Sequence, residues 1–371
     1  MTVTKGLEGI VATDSAISSI IDGVLTYRGY NIDDLAENTT FEEVVYLLWY
    51  GKLPNRTELA GLRQSLNQNA AIPQQIIDLL RSFPRDANSM SVLRSAVSAL
   101  GLFDSEGHEM SIEANRRIAI RLQAQLPTIV AAFARIRQGQ QPVAPKADAS
   151  VAENFLFMLT GRQPDAVAIT ALDKALVLHA DHELNASTFA ARVTVATLSD
   201  MYSGVTSAIG ALRGPLHGGA NEAVMAMLEE IGTFENVESY IMNKINQKEK
   251  IMGFGHRVYK NGDPRAKHLQ QMSYELGKLT GDLKWYNMSV KIEEMITGMK
   301  GLKPNVDFYS ASTYTALEIP RDLFTPIFAI SRVSGWTAHI LEQYENNRLI
   351  RPRAEYVGPT DQVVIPLDER N

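Results

Sequence analysis

The sequence contains no cysteine among its 371 residues. This absence excludes disulfide bonds, thiolate zinc sites and cysteine nucleophiles. The chain also lacks an excess of positive charge, since 42 acidic side chains outnumber 36 basic ones and the net charge is -6. Non-specific binding to nucleic acid requires a basic face. We therefore expect no nucleic-acid partner, and any anionic ligand must be held by a local cluster of Arg or Lys.

Long uncharged apolar runs are absent as well. No such run reaches the ~18 residues of a membrane-spanning helix, so we expect no membrane insertion. The first residues, MTVTKGLEGI, contain neither the apolar core of a secretion signal nor an arginine-rich transit pattern. The expected location is the cytoplasm.

Most of the sequence shows the periodicity of amphipathic helices. One β-hairpin is predicted near the start, where Asp22-Gly23 separates two β-prone runs in AISSIIDGVLTY. The spacing Thr40-x-x-Glu43 predicts a capping box on a helix that ends near Gly51. Helical patterns fill most of the remaining chain, and no further convincing strand is found. We predict an all-α, multi-helical fold of about two domains with a small N-terminal β-hairpin.

A histidine followed by two glycines stands in GPLHGGANEAV. His217 lies just before a predicted helix that begins near Ala220, and Gly218 and Gly219 allow the backbone to approach a ligand closely. A helix N-terminus disfavours an imidazolium, so His217 should be neutral and able to donate a hydrogen bond. A histidine packed in a glycine-rich turn is the alternative interpretation.

The stretch GFGHRVYKNGDPRA holds a second histidine, His256, next to Gly253 and Gly255. Asp263 is predicted as the N-cap of the following helix, with Pro264 as its first residue. Arg265 is then a cation in the first turn, which opposes the helix dipole unless an anion binds at the same helix end. The stretch therefore predicts an anion site, and an exposed basic loop is the alternative.

Three further candidates stand in the last quarter of the chain. Asp307 in PNVDFYSA precedes a helical segment, so it is either a functional carboxylate or a plain N-cap. Arg332 stands among apolar residues, where an unpaired guanidinium is costly, so it requires an anionic partner. Arg351 in IRPRA belongs to an arginine-rich segment, for which a solvated basic tail is the alternative interpretation.

The three motifs GPLHGGAN, GFGHRVYKNGDPRA and PNVDFYSA, in this order and spacing, resemble those of citrate synthases of the short prokaryotic type. The opening KGLEGIVATDSAISSIIDGVLTYRGY extends the resemblance over essentially the whole chain. Members of this family condense acetyl-CoA with oxaloacetate and hydrolyse citryl-CoA to citrate and CoA. The resemblance therefore implies an acyltransferase of the tricarboxylic acid cycle.

The resemblance implies roles for three catalytic residues. Asp307 is the expected base that removes a proton from the acetyl methyl group. His217 is expected to donate a hydrogen bond to the thioester oxygen as the enol forms. His256 is expected to polarise the oxaloacetate ketone and to protonate the new alkoxide.

The resemblance also implies four residues that bind oxaloacetate and citrate. His182 in DHELN matches a second substrate-binding histidine of the family, and Arg265 and Arg332 match its carboxylate-binding arginines. Arg351 matches an arginine that the partner subunit supplies. We therefore expect a homodimer with a shared site, or a larger homo-oligomer built from it.

For CoA, the resemblance is less detailed. Lys260 matches a basic residue that contacts CoA phosphates, and Arg257 and Lys303 are nearby candidates, with solvated side chains as the alternative. No metal and no cofactor is expected, since acetyl-CoA is a substrate and His and Arg polarise both carbonyls. The implied fold has a large, dimer-forming helical domain, residues 1–218 and 319–371, and a small helical domain, residues 219–318.

Two rival functions stay open on the sequence. A 2-methylcitrate synthase uses propionyl-CoA on the same scaffold, and one methylene changes binding by only ~1–3 kcal/mol. A metal-dependent phosphohydrolase would use His179, Asp181 and His182 as metal ligands. A helical scaffold without chemistry leaves the three histidine and aspartate motifs unexplained.

Overall fold

The computed structural model describes residues 5–7, 9–256, 258–259 and 262–370. Within these ranges the chain forms sixteen α-helices and one small sheet, which confirms the predicted fold class. The strands are β1 (Ser18–Ile21), β2 (Val24–Tyr27) and β3 (Tyr30–Asn31). The helices are α1 (Ile32–Asn38), α2 (Phe41–Tyr50), α3 (Arg56–Gln68), α4 (Gln74–Ser82), α5 (Ser89–Leu100), α6 (Ile112–Arg137), α7 (Val151–Thr160), α8 (Ala166–His179), α9 (Ala186–Val195), α10 (Met201–Leu212), α11 (Ala220–Ile231), α12 (Val237–Asn246), α13 (Ala266–Thr280), α14 (Lys284–Lys300), α15 (Val306–Ala316) and α16 (Phe324–Glu345).

The predicted N-terminal hairpin is confirmed. Strands β1 and β2 pair antiparallel, and Ser18 lies opposite Tyr27. The turn residues Asp22 and Gly23 have φ angles of 52° and 79°. Two consecutive positive φ angles are typical of the tight turn that an Asp-Gly pair favours. The two-residue strand β3 adds a third member to the sheet, which the sequence patterns did not indicate because so short a strand carries no periodicity.

The predicted capping box of α2 is also confirmed. The backbone N–H and the hydroxyl of Thr40 both donate to the Glu43 carboxylate, each at 2.8 Å. Gly51 ends the helix in the left-handed conformation, with φ 75°. Local polar contacts therefore define this helix at both ends.

Helix α16 is the central element of the fold and is buried along most of its length. It packs against α2, α6, α8, α9 and α10. Several polar side chains on α16 are nevertheless buried, among them Ser331, Arg332, Ser334 and His339. Buried polar side chains need hydrogen-bond partners, so α16 makes polar as well as apolar contacts inside the core.

Helices α11 to α15 span residues 220–316, close to the predicted small domain 219–318. The division into two domains stays a prediction. Among the described residues, no helix combines the length and the apolar character that are needed to cross a bilayer.

Candidate active site

The segment that carries His256 lies between α12 and α13 and is fixed by backbone hydrogen bonds to the residues before α15. Gly255 N–H donates to the Lys303 carbonyl at 3.0 Å, and Asn305 N–H donates to the Gly253 carbonyl at 2.9 Å. Gly253 has φ 83°, and a Cβ there would lie 2.7 Å from Phe308 Cδ2. Only glycine fits this position, which brings the His256 segment against the start of α15.

The protonation of His256 follows from its contacts. Its Nδ1 accepts hydrogen bonds from the backbone N–H groups of Val258, at 3.0 Å, and Tyr259, at 3.4 Å. Because an N–H can only donate, Nδ1 carries no proton and the neutral ring carries its proton on Nε2. Burial and the positive charge of Arg265 lower the pKa of His256. His256 is therefore a neutral hydrogen-bond donor through Nε2 at neutral pH.

His182 lies in the turn between α8 and α9 and contacts the same segment. Its Nε2 is 3.0 Å from the Tyr259 hydroxyl, and its ring centroid is 5.3 Å from that of His256. Burial, followed by the charges of Arg265 and Arg332, lowers the pKa of His182 well below its usual value. Two neutral histidines and a tyrosine therefore form one cluster beside two arginines.

His217 lies in the turn between α10 and α11, and Ser187 of α9 orients its ring. The Ser187 hydroxyl is 2.8 Å from His217 Nε2, and the Ser187 N–H donates to the same nitrogen at 3.3 Å. The contact with an N–H favours an unprotonated Nε2 and a proton on Nδ1. Burial, with a smaller effect of Arg332, lowers the pKa of His217 to about 4. The structure thus agrees with the neutral state that the sequence predicted.

Asp307 is the second residue of α15, and Asn305 is the N-cap of this helix. The alternative interpretation of Asp307 as a plain N-cap is therefore wrong. Its Oδ1 is buried and has no hydrogen-bond partner among the described residues. Burial raises the pKa of Asp307 to about 7, although Arg265 opposes the shift. A partly buried carboxyl group with a raised pKa is suited to accept a proton from a weak acid.

The start of α13 differs from the prediction. The helix begins at Ala266, so Asp263 is not its N-cap and Pro264 is not its first residue. Instead the Asp263 carboxylate accepts from Arg265 Nε at 2.9 Å and from Arg265 Nη2 at 2.8 Å. This two-pronged ion pair compensates a guanidinium that is only 2% exposed. The position of Arg265 is therefore explained without a bound anion, and one edge of its fork is already occupied.

Arg332, in the middle of α16, has no such partner in the described part of the chain. Its Nε donates to the His179 carbonyl at 2.7 Å, and its guanidinium carbon lies 4.6 Å from the Phe328 ring centroid. Among the described residues, no carboxylate forms an ion pair with this 1% exposed side chain. Burial lowers the pKa of Arg332 to about 10, so it stays charged at neutral pH. The described residues therefore do not supply the anionic partner that the sequence predicts for Arg332.

Phe328 lies near both His217 and Arg332. Its ring centroid is 6.5 Å from that of His217, and the same ring stacks under Arg332. The structure thus brings together six of the predicted residues around α16 and the start of α15. They are His182, His217, His256, Arg265, Asp307 and Arg332. Their individual roles stay predictions.

The structure describes two of the other four predicted residues, and it does not bring them into this group. Arg351 is exposed and lies after α16, outside any helix or strand. Lys303 is exposed beside the His256 segment. Arg257 and Lys260 lie outside the described residues. The chain thus supplies most of the site by itself, and the predicted CoA contacts and partner arginine stay predictions.

The proposed metal ligands of the phosphohydrolase hypothesis diverge. His179 Nδ1 donates to the Ala175 carbonyl at 2.8 Å, and burial lowers its pKa to about 3. Asp181 faces Ser18 and His339, while His182 faces Tyr259. Among the described residues, no three His, Cys, Asp or Glu side chains are grouped to hold a metal ion.

Several residues of the site were not predicted. Ser187 and Phe328 orient or contact histidines, and Trp336 donates to the Ser187 hydroxyl at 3.1 Å. None of them carries a sequence signal, because each makes its contact across the fold. Asp263 and Tyr259 stand inside the GFGHRVYKNGDPRA stretch, and the two-residue spacing from Asp263 to Arg265 was the one available hint of a local ion pair.

Comparisons with known proteins agree with this geometry. The family model described as citrate synthase, C-terminal domain, matches residues 6–353. Citrate synthase 2 of Bacillus subtilis is 63% identical over 100% of both chains. The 2-methylcitrate synthase of Shewanella oneidensis is 45% identical over 98% of this chain and 97% of its own. The citrate synthase of Thermoplasma acidophilum, solved as a ternary complex with carboxymethyl coenzyme A and oxaloacetate, superposes with a TM-score of 0.93 at 38% identity, covering 100% of both chains.

An all-α acyltransferase is therefore the class that the fold and these matches define. The chain belongs to the citrate synthase family. The predicted family, fold class and enzyme class are confirmed.

Proposed function

We propose that this protein condenses acetyl-CoA with oxaloacetate and hydrolyses the resulting citryl-CoA to citrate and CoA. The observation that carries the proposal is a carboxyl group with a pKa of about 7, Asp307, in one site with three neutral histidines. The reaction begins at a C–H group that is a very weak acid. It therefore needs both a base and donors for the oxygen that becomes negative.

Asp307 takes the proton from the acetyl methyl group. Its raised pKa makes it a stronger base than an ordinary carboxylate, and its buried Oδ1 is not occupied by another described residue. The carbon of the resulting enol then attacks the ketone carbon of oxaloacetate and forms the new C–C bond. Water subsequently cleaves the thioester, which releases CoA.

His217 donates to the thioester oxygen while the enol forms. Ser187 occupies Nε2, so the proton on Nδ1 remains available for the substrate. A neutral imidazole suits this role, because it stabilises the developing negative charge without giving up its proton early. Loss of one such donor costs about 10²–10³ in rate.

His256 acts on the other carbonyl. Its Nδ1 is held by two backbone N–H groups, so its Nε2–H donates to the ketone oxygen of oxaloacetate. The ketone carbon becomes more electrophilic, and the alkoxide that forms receives the proton. The fixed tautomer keeps this donor in place before the substrate binds.

Oxaloacetate carries two carboxylates, and the site contains two guanidinium groups. Arg332 has a full positive charge without an ion-pair partner among the described residues. Arg265 shares its charge with Asp263 and presents only its remaining edge. His182 contributes a further hydrogen bond beside them. The Thermoplasma acidophilum relative supports this choice of substrates, because its structure contains oxaloacetate and a coenzyme A derivative.

Two elements of the proposal come from outside the described site. Arg351 of a second copy completes the carboxylate site in a homodimer, and its exposed position in the C-terminal segment is compatible with reaching a neighbour. Lys303, with Arg257 and Lys260, binds the CoA phosphates.

Closure of the small domain, residues 219–318, over the large one excludes water. The reaction requires no metal and no cofactor, and the cytoplasmic location stays an expectation from the sequence.

The test is CoA release with acetyl-CoA and with propionyl-CoA, each measured with and without oxaloacetate. We expect release that depends on oxaloacetate and is faster with acetyl-CoA. Propionyl turnover equal to or above acetyl turnover would support the rival 2-methylcitrate synthase. Absence of any oxaloacetate-dependent release would remove the proposal.

A further inference from the structure

The N-terminal hairpin contacts the backbone of the turn that carries His182. Ser18 and Tyr27 lie directly opposite each other on β1 and β2. Both side chains are buried, and both reach residues 181–183, more than 150 positions away in sequence. A cross-strand pair therefore contacts the chain on either side of His182.

Tyr27 holds the residue before His182. Its hydroxyl donates to the Asp181 carbonyl at 3.0 Å and accepts from the Asp181 N–H at 3.2 Å. The ring is fully buried, and burial raises the pKa of Tyr27 to about 12, so the hydroxyl stays protonated. One side chain thus satisfies both backbone polar groups of Asp181.

Ser18 holds the residue after His182. Its Oγ accepts from the Glu183 N–H at 2.8 Å and donates to the Asp181 carboxylate. Glu183 has φ 54°, in the left-handed region that a residue with a side chain rarely adopts. Such a conformation persists only where the surroundings hold it. The Ser18 hydroxyl supplies one of these contacts.

Helix α16 closes the opposite side of the turn. His339 Nε2 lies 3.3 Å from the Asp181 carboxylate. Gly335 packs so closely that a Cβ there would collide with Asp181 Oδ1 and the Ala180 carbonyl. The same helix carries Arg332. The turn is therefore held between the hairpin and α16, the helix that carries Arg332.

We propose that Ser18 and Tyr27 are positioning residues for His182 and thereby set the affinity for oxaloacetate. They act through the backbone of Asp181 and Glu183 and do not touch the substrate. This inference rests on the proposed function, because it requires His182 to bind oxaloacetate. Loss of the Tyr27 hydroxyl removes the partner of both backbone polar groups of Asp181. Loss of the Ser18 hydroxyl leaves the Glu183 N–H with only its longer bond to the Asp181 carboxylate, at 3.2 Å. Either change lets the imidazole move relative to Arg332 and His256.

The experiment compares Ser18→Ala and Tyr27→Phe with Ser19→Ala. Ser19 is the matched control, because its hydroxyl pairs with Thr26 at 2.9 Å on the other face of the same hairpin. Steady-state kinetics give KM for each substrate and kcat, calorimetry gives Kd for oxaloacetate, and thermal unfolding reports stability. We expect KM and Kd for oxaloacetate to rise roughly tenfold in Ser18→Ala and Tyr27→Phe. KM for acetyl-CoA should stay near the wild-type value, and Ser19→Ala should match the wild type.

A purely structural role would lower the unfolding temperature and leave KM for oxaloacetate unchanged in the folded enzyme, which would overturn the inference. Ser18→Thr keeps the hydroxyl and should restore oxaloacetate affinity; failure of this rescue would also count against it. If Tyr27→Phe does not fold, the Ser18 variants decide. The variant His182→Gln distinguishes failure of this inference from failure of the proposed role of His182. A raised KM for oxaloacetate in His182→Gln with normal values in Ser18→Ala refutes only the inference, whereas an unchanged KM in His182→Gln refutes the proposed role of His182 as well.

Discussion

Two regions of the site each contain a buried arginine, and the two arginines differ in their ion-pair partners. Before α13, Arg265 forms a two-pronged ion pair with Asp263, two residues earlier in the chain. In the middle of α16, Arg332 donates a hydrogen bond to a backbone carbonyl and lies over the face of Phe328, and it forms no ion pair with a carboxylate among the described residues. The two side chains are almost equally buried, at 2% and 1% exposure. Burial alone therefore does not explain the difference.

The difference indicates which charge is kept for a ligand. A buried guanidinium without a carboxylate is costly, and a binding site is one reason to retain it. The carboxylates show the same contrast. Burial would raise the pKa of Asp263, but Arg265 holds it below its usual value. Asp307 forms no ion pair among the described residues, and burial raises its pKa to about 7. Arg265 and Asp263 balance each other's charge. Arg332 and Asp307 form no ion pair among the described residues, so both are available to interact with substrate.

Asp307→Asn should give the largest effect. Removal of the base should lower kcat by about 10²–10⁴, since general bases typically contribute this much. Calorimetry should show oxaloacetate binding close to that of the wild type. A raised pKa means that the folded chain binds the proton more tightly than the unfolded chain, so the fold loses stability as pH rises from the ordinary carboxyl pKa of about 4 to about 7. Asp307→Asn should therefore unfold at a higher temperature than the wild type at alkaline pH. Near-normal turnover would remove Asp307 as the base.

Arg265→Met should be the most damaging substitution for stability. It leaves the Asp263 carboxylate buried and unpaired, and breaking a buried pair on one side costs about 3–5 kcal/mol. Urea unfolding measures this loss. The double variant Arg265→Met with Asp263→Asn removes the orphaned charge and should recover part of the stability. If Arg265→Met unfolds like the wild type, the ion pair does not compensate the guanidinium as the structure indicates.

Arg332→Met should separate binding from stability. Loss of a charged hydrogen-bond donor to a carboxylate should weaken oxaloacetate binding by about 1.5–3 kcal/mol. The free energy of unfolding should fall by less than about 1 kcal/mol or rise, because removal of an isolated buried charge offsets the lost contact to the His179 carbonyl. Calorimetry and urea unfolding on the same preparation measure both quantities. A loss of stability as large as that of Arg265→Met would erase the distinction between the two arginines.

Local features of the fold could be predicted from the sequence. The Asp22-Gly23 turn, the Thr40–Glu43 capping box and the helical periodicity each depend on neighbouring residues, and the structure confirms them. Strand β3 was missed because two residues carry no periodicity. The start of α13 was placed too early because Asp-Pro is a strong helix-start signal. The signal does not show that the Asp263 carboxylate is bound to Arg265.

The composition of the site could be predicted only in part. The histidine and aspartate motifs identified residues that the fold brings together. Ser187 and Phe328 were missed because they meet His217 across the fold. The contrast between Arg265 and Arg332 was also inaccessible. The sequence argued for an anion at both, at Arg265 from its place at a predicted helix start and at Arg332 from its apolar neighbours. Only the three-dimensional arrangement distinguishes a guanidinium with a carboxylate from one without.

The smallest effect is the displacement of the pH profile when Arg332 is replaced, and it tests the comparison between the two arginines most finely. Because the base must be ionised, kcat/KM for acetyl-CoA at saturating oxaloacetate should fall as pH drops through about 7 and should lose about tenfold per pH unit below that. Asp263 should add no limb in this range, because its pKa is lowered. A profile that stays flat down to about pH 5 would indicate an ordinary carboxyl pKa and would contradict the assignment.

The charge of Arg332 lowers the pKa of Asp307, so Arg332→Met should move the acidic limb to higher pH. Ser19→Ala removes a hydroxyl that pairs with Thr26 on the hairpin and should leave the limb in place. A shift in Arg332→Met alone would show that the unpaired guanidinium acts on the base directly as well as on the substrate.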